Sequence, residues 1–495
     1  MIPPEHKLYL CEQIRRCEDM AINQYNISEH TLMLRAGEAA FETVLKHFPH
    51  IQRMAIFCGA GNNAGDGYVL ARLAQQYGLS VKIYQLKSPE NLPSAAAHAA
   101  MHAMVDNIPC AWLDEPFDTE VDLIVDALLG IGLQGEVRGE MVGAINLINE
   151  TELPVIALDI PSGLNADTGQ VYNCCVRADC TICFIGRKTG MYTLDGPDHC
   201  GEIYCADLQL KDILEQLPFY ALQLTRQTID LPLPPRKKNC HKGDFGHVLV
   251  VGGGPGMPGA VALAAKAALR TGAGAVTVAT RPEHITGVLP FCPEIMVHGV
   301  RSENELKPLL RKATVCILGP GLGVDEWGKK LFHAAITAQL PMIIDASALR
   351  LLAEHPQIDD NWILTPHPGE AGALLSCTAA GIQEDRFEAV EKLQKQYGGV
   401  IILKGAGSIL RTVNAENFVC IAGNAGMATA GMGDILNGII AGLLAQGLSL
   451  SESAKAGVWL HAHVADQIVQ RQGERGLLAS DLLAQFPKFI NGLSI

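Results

Sequence analysis

Residues Gly423–Gly438 read GNAGMATAGMGDILNG, a glycine-rich turn that runs into a helix and carries one acid, Asp434. The continuation ILNGIIAGLLAQG has the small and apolar spacing of a buried helix, whose first N–H groups have no intrahelical partners. Glycines ahead of it let the backbone close on a ligand, so the junction predicts an anion site. Asp434 has two readings. An Asp at a helix start is a favoured cap; it is also placed to take the proton from a hydroxyl attacking a phosphate held by the same amides.

Two upstream stretches bear on that choice. Trp362–Leu375, WILTPHPGEAGALL, puts His367 and Glu370 at a strand-to-helix junction, and Gly399–Leu410, GVIILKGAGSIL, ends an apolar run in Lys404 and a second glycine-rich turn. Three such edges in succession predict one cleft. Taken one at a time, His367 between two prolines reads as a turn residue and Lys404 as the cap of a strand end. In combination the three stretches resemble the ribokinase-like superfamily, and more closely its ADP/ATP-dependent NAD(P)H-hydrate dehydratases, over about residues 240–490. The resemblance implies that Asp434 is the base and touches the hydrate, with the amides of Gly431, Met432 and Gly433 stabilising developing charge. It implies that Lys404, Gly405, Ala406, Gly407 and Ser408 hold ADP, that Mg2+ bridges its phosphates with Glu370 standing behind, and that Ala260, Gly321, Gly323 and His367 position the hydrate. One departure is visible in PGMPGAVA, Pro255–Ala262: many dehydratases carry an aromatic residue before Gly-Ala, where this chain has Met257 and Pro258.

At 495 residues the chain exceeds one ordinary core, which predicts two domains. The net charge of −14, spread without acidic blocks, argues against a nucleic-acid or anionic-membrane surface, so any phosphate site must be local. Fifty glycines exceed the usual ~7% and gather at strand-to-helix junctions, which favours ligand loops over disorder. Fifteen cysteines, an odd number without framework spacing, point to a reducing cytoplasm. Cys180 and Cys183 form a C-x-x-C, but within the apolar run CTICFIG they fall on opposite faces of a strand and read as packing. His461 and His463, two apart in a helical stretch, do not share a face, which argues against a metal pair. The N-terminus lacks the apolar core of a signal peptide, and no run reaches the ~18 apolar residues of a membrane span.

In chain order, an amphipathic helix in the first twenty-five residues and a second around Leu32–His47 precede alternating apolar strands and helices, the pattern of a parallel sheet covered on both faces. The pattern dissolves in the proline-rich, basic stretch DLPLPPRKKNCHKGDFG, whose Lys and Arg read as a solvated face, and restarts at HVLVVGGG. The expected organisation is α/β: a Rossmann-like sandwich over 1–220, a linker over 221–240, and a ribokinase-like sandwich over 241–495.

GAGNNAGDG, Gly59–Gly67, follows a strand and precedes a helix, but Asn62 and Asn63 fall inside the turn and Asp66 at the helix start, which weakens a dinucleotide-fingerprint reading. Asn63, Asp126 at the end of VDLIVDALLG, and Ser162 after Asp159 in ALDIPSG offer oxygen from three strand ends, a set suited to a hard cation; singly, each is more often a turn residue. Together GNNAGDG, DALLGIGLQGEVRG, LDIPSGLNADTG and RKTG resemble the NAD(P)H-hydrate epimerase family over about residues 10–215. That resemblance implies a hydrate site lined by Asn62, Asn63, Ala64, Gly65, Asp66, Gly130, Ile131, Gly132, Leu133, Gln134, Gly135 and Glu136. It further implies K+ on Asn63, Asp126 and Ser162, and Asp159 as the acid/base group in contact with the substrate, with Lys188 beside it. Ala64 departs from a commoner glycine.

The expectation is one chain that interconverts R and S hydrates of NADH and NADPH (NADHX and NADPHX) and dehydrates the S form with ADP, in a homo-oligomer without nucleic-acid or membrane partners. Two competitors differ in class: a hydroxymethylpyrimidine- or thiazole-type kinase with an accessory N-terminal domain, and a first domain that is only a binding module.

Overall fold

The computed structural model describes residues 3–133, 135–229, 231 and 233–491. The chain divides between Ala221 and Leu222 into two compact units. The interval read as a linker opens with a strand, Ala221–Leu224. Its basic run is exposed, and within it Arg236 bonds to the carbonyl of Gly272 at 2.6 Å and lies over the Phe245 ring.

In the first unit, β1 (Arg53–Cys58), β2 (Ser80–Gln85), β3 (Cys110–Trp112), β4 (Leu123–Ala127), β5 (Val155–Leu158), β6 (Cys180–Phe184) and β7 (Glu202–Ala206) form one parallel sheet in the order β3-β2-β1-β4-β5-β6-β7. The central strands β1, β4, β5 and β6 are buried on both faces because alternate side chains feed different cores, whereas the edge strands β3 and β7 are partly exposed. Met54, Ile56 and Cys58 of β1 join the cluster under the first helices, whereas Ala55 and Phe57 join the cluster built on Ala144, Ile145 and Ile148. In the N-terminal stretch the amphipathic α-helix spans Cys11–Tyr25; ahead of it Pro4–His6 forms a 3-10 turn and Lys7–Tyr9 is extended and pairs with Arg187–Lys188. The next helix spans Glu29–His47, capped by Ser28.

In the second unit β8 (His247–Val251), β9 (Ala275–Thr280), β10 (Met296–Gly299), β11 (Val315–Leu318), β12 (Met342–Ile344), β13 (Trp362–Leu364), β14 (Val400–Leu403), β15 (Ile409–Arg411) and β16 (Asn417–Cys420) follow the order β10-β9-β8-β11-β12-β13-β14-β15-β16. All pair in parallel up to β14, after which β15 and β16 run antiparallel. The helix Met432–Ala445 crosses Pro258–Thr271 at close range: a Cβ on Gly438 would lie 2.3 Å from the carbonyl oxygen of Ala264. In both units the strand order reverses between the first strand and the fourth, the place where open α/β sheets leave a crevice at their carboxyl ends.

Candidate active sites

In the first unit, a cavity of about 560 Å³ opens at that reversal. Asn62, Asn63 and Asp66 reach it from the segment after β1; Leu128, Leu129, Gly130, Ile131, Gly132 and Leu133 from the segment after β4; Asp159 from the end of β5. The helix after β1 begins at Asn62, with Gly61 as its N-cap, so the two asparagines lie in the first turn and Asp66 one turn further on. This corrects the turn expected from the glycine spacing. It also removes any special demand at Ala64, which is an ordinary buried helical residue. Gly65 is buried, Gly135 and Glu136 lie beyond the lining of the cavity, and Gln134 lies outside the described residues.

Asp159 adopts φ +66°, the left-handed region in which Asp is among the better-tolerated residues but which still costs on the order of 1 kcal/mol. Its backbone N–H donates to Ile182, its carboxylate accepts from the Phe184 N–H at 3.2 Å, and it forms an ion pair with Lys188. The Lys188 side chain is fully buried and also donates to the Phe184 carbonyl at 3.0 Å. Burial, the largest single influence, pushes this ammonium's pKa down; the Asp159 charge and hydrogen bond, together with Cys183 and Cys205, outweigh it and keep Lys188 protonated. In the same unit, Asp126 at the end of β4 accepts from the Ser162 hydroxyl at 2.6 Å, the Ser162 N–H at 2.8 Å and the Leu128 N–H at 3.1 Å. Burial still raises the Asp126 carboxyl to about 6. Asn63 donates to the Leu129 carbonyl at 3.0 Å, yet its buried Oδ1 has no partner among the described residues. A buried acceptor without a donor, in a neighbourhood of carboxylate and hydroxyl oxygens, fits a monovalent cation.

In the second unit, Gly431, at φ +90°, is the N-cap of the Met432–Ala445 helix, a conformation that suits glycine. Asp434 lies in the first turn and caps nothing: its carboxylate makes no hydrogen bond among the described residues. Burial, then the nearby Asp345 carboxylate, push its pKa up to about 7, against the opposing pull of Lys404. A Cβ on Gly433 would lie 3.4 Å from Asp345 Oδ2 and 3.5 Å from Lys404 Nζ, which brings the glycine turn and the lysine together.

Lys404 is not a strand-end cap. It pairs with Asp345 at 2.8 Å and reaches Glu370 at 3.7 Å. Burial works against the lysine's charge, but these acids hold its pKa above the ordinary value. Asp345, at the end of β12, is also held by Asn437 Nδ2 at 2.6 Å, and Asn437 in turn accepts from Thr365. His367 is the N-cap of Pro368–Leu375: its Nδ1 accepts from the Gly369 and Glu370 N–H groups, and Glu370 accepts from the His367 N–H at 2.8 Å. Gly321 lies against Ala260 and Met257, so these positions share one edge, while Gly323 faces open space.

The loop 404–408 rests on Arg386, 1% exposed, which donates to the carbonyls of Ala406, Leu403 and Lys404 at 2.8, 3.2 and 3.3 Å. Ser408 Oγ closes the turn on the Gly405 carbonyl. Neither Arg386 nor Asp345 stood out in the sequence. Asp345 sits at a strand end, in MIIDASAL, which was the usable signal; Arg386 lies in a charged helical run that reads as surface.

Residues 248–488 match the family model described as NAD(P)H-hydrate dehydratase, and residues 29–190 the model described as YjeF-related protein N-terminus. A protein from Coxiella burnetii named "Bifunctional NAD(P)H-hydrate repair enzyme Nnr" is 47% identical, with 98% of this chain and 99% of that protein covered. An Escherichia coli protein of the same name is 40% identical over 98% of this chain and 94% of its own length. Among solved structures, a hypothetical protein from Streptococcus mutans, SMU.573, is 31% identical with a TM-score of 0.50, covering 53% of this chain and 96% of that one. Likeness over the whole length, through both units, is not what an accessory domain on a vitamin-type kinase predicts. The chain belongs to the bifunctional NAD(P)H-hydrate repair enzymes.

Proposed function

We propose that the first domain interconverts the R and S hydrates of NADH and NADPH, and that the second removes water from the S form at the expense of ADP, giving AMP and phosphate. The observation that carries this reading is Asp434, a half-buried acid with no hydrogen bond of its own, raised to about 7 at an amide-rich helix start. Hydroxide is a poor leaving group; phosphorylation of the hydroxyl lets it depart as phosphate. Asp434 takes the proton as the hydroxyl attacks, and the N–H groups of Met432 and Gly433 stabilise the charge that develops. Lys404, pinned by Asp345, presents a fixed positive charge, and the loop 404–408 holds the nucleotide. His367, Ala260, Gly321 and Gly323 position the hydrate.

Magnesium, when bound, neutralises charge on the phosphates. Asp345 and Glu370 are already engaged with Lys404, Asn437 and His367, and among the described residues no cluster of three or more His, Cys, Asp or Glu side chains suits a metal. The ion is therefore expected to ride on the nucleotide with its own waters rather than in a protein cage.

In the first domain, Asp159 shuttles the proton while the carbon–oxygen bond beside the ring nitrogen breaks and reforms, and Lys188 fixes the carboxylate's position. Asn63, Asp126 and Ser162 would hold potassium, which supplies positive charge beneath the 128–130 segment. The setting we infer is a reducing cytoplasm, and the assembly a homo-oligomer, checked by sedimentation.

The test is recovery of nicotinamide absorbance from an R/S mixture of NADPH hydrate with ADP, with ATP, or with neither. Complete ADP-dependent recovery is expected. No recovery, with a stable phosphorylated product from an alcohol substrate, returns the kinase alternative.

A further inference from the structure

The N-terminal helix Cys11–Tyr25 is more than a surface element. Ile14, Arg15, Glu18, Asp19 and Ile22, spaced to share one face, form a wall of the first-domain cavity. Arg15 fastens that wall to the site by donating to the Ile131 carbonyl at 2.9 Å. Of the two acids on this face, Asp19 is exposed and Glu18 half-buried. The Glu18 carboxylate makes no hydrogen bond or ion pair among the described residues, in contrast to Asp159, which is tied down by Lys188 and the Phe184 N–H.

We propose that Glu18 is a second acid–base group of the epimerisation, serving from the helix wall the face of the nicotinamide ring that Asp159, at the strand ends, does not serve. This rests on the epimerase reading of the domain. Inversion through a planar iminium brings two such groups into use, one for each face of the ring. In the R-to-S direction, one carboxylic acid donates its proton to the hydroxyl; the carbon–oxygen bond breaks, water leaves, and the ring-nitrogen lone pair forms an iminium. Water then adds to the other face, and the second group, as carboxylate, takes the proton released. The reverse direction uses the same groups in exchanged roles, so atoms and charge balance in each direction and solvent returns the proton between turnovers.

The surroundings suit this exchange. Burial, then the Asp159 charge, hold the Glu18 carboxyl near 7, with Asp19 adding to the effect and Lys188 and Arg15 opposing it. Asp66, another acid lining the cavity, stands on the strand-end side with Asp159 and is pushed well above the ordinary carboxylate range by burial and by the charges of Asp159 and Glu18.

The experiment follows each epimer of NADPH hydrate by chromatography in 18O-water without nucleotide, using the full chain and its Glu18→Gln, Glu18→Asp and Asp159→Asn variants. The wild type should interconvert the epimers and incorporate 18O into both. Glu18→Gln should slow interconversion about 100-fold while one epimer continues to take up 18O, because Asp159 still serves its own face; Asp159→Asn should leave uptake in the other. Glu18→Asp should recover part of the rate. Interconversion within threefold of wild type in Glu18→Gln, equal loss of exchange from both epimers in that variant, or wild-type epimerisation without 18O uptake would each overturn the proposal. Failure of the epimerase reading is separately visible, as a wild type that interconverts nothing.

Discussion

Each half of the molecule sets a lysine against an aspartate at the strand ends, Lys188 fully buried and Lys404 partly so, and the two pairs are used differently. In the first domain Lys188 is paired with Asp159, the proposed acid/base itself. In the second, Lys404 is paired with Asp345, and the proposed base, Asp434, is left outside the pair. A carboxylate bonded to a buried ammonium is fixed in place. One that feels burial and a neighbouring carboxylate is kept close to neutrality, ready to accept a proton near pH 7. The same parts thus yield a clamp in one domain and a poised base in the other.

The sharpest way to break this comparison is Asp434→Asn. Dehydration should fall about a thousandfold while epimerisation stays within twofold; loss of both activities together would show that the domains do not divide the chemistry as described. Next come the lysines. Removing one member of a buried pair strands the other, at about 3 kcal/mol each, so Lys188→Met and Lys404→Met should both lower urea midpoints. Only Lys188→Met also frees its domain's acid from its partner.

A smaller effect is expected with pH. Because Asp434 must be deprotonated to act and sits near 7, dehydratase kcat/KM should rise about tenfold per pH unit below 7 and level off above it. Asp345→Asn removes a like charge and frees Lys404, so the inflection should move to lower pH. Smallest is the potassium effect: at several times its Kd, K+ should stabilise the first domain by about 1 kcal/mol, and Ser162→Ala should abolish that shift in a melting experiment while leaving the second domain unchanged.

Much of this was legible in the residues. Alternating apolar strands and helices announce two α/β layers, and GNAGMATAGMGDILNG announces a helix whose free amides face a glycine turn. What was hidden has physical reasons. Cys110–Trp112 is too short to show a period, and Asn62-Asn63 look like loop residues because glycines flank them, although Gly61 caps a helix that starts there. Glu18 shares its helical face with Ile14 and Ile22, so its pattern is that of any helix edge over a core. Asp345 was readable as a strand-end acid but not as the partner of Lys404, 59 residues away, because such a pairing depends on strand order rather than on local sequence.

Arg386 bears on how a chain with a net charge of −14 attracts a polyanion at all. Its guanidinium, beneath the 404–408 loop and bonded among the described residues to backbone carbonyls, is sealed from counterions by the protein around it. Salt screens exposed charges over about 10 Å at 0.1 M but reaches buried ones far less. Nucleotide affinity in this half of the molecule should therefore change little between dilute buffer and the ionic strength of a cell, a constancy that a surface patch of lysines would not provide.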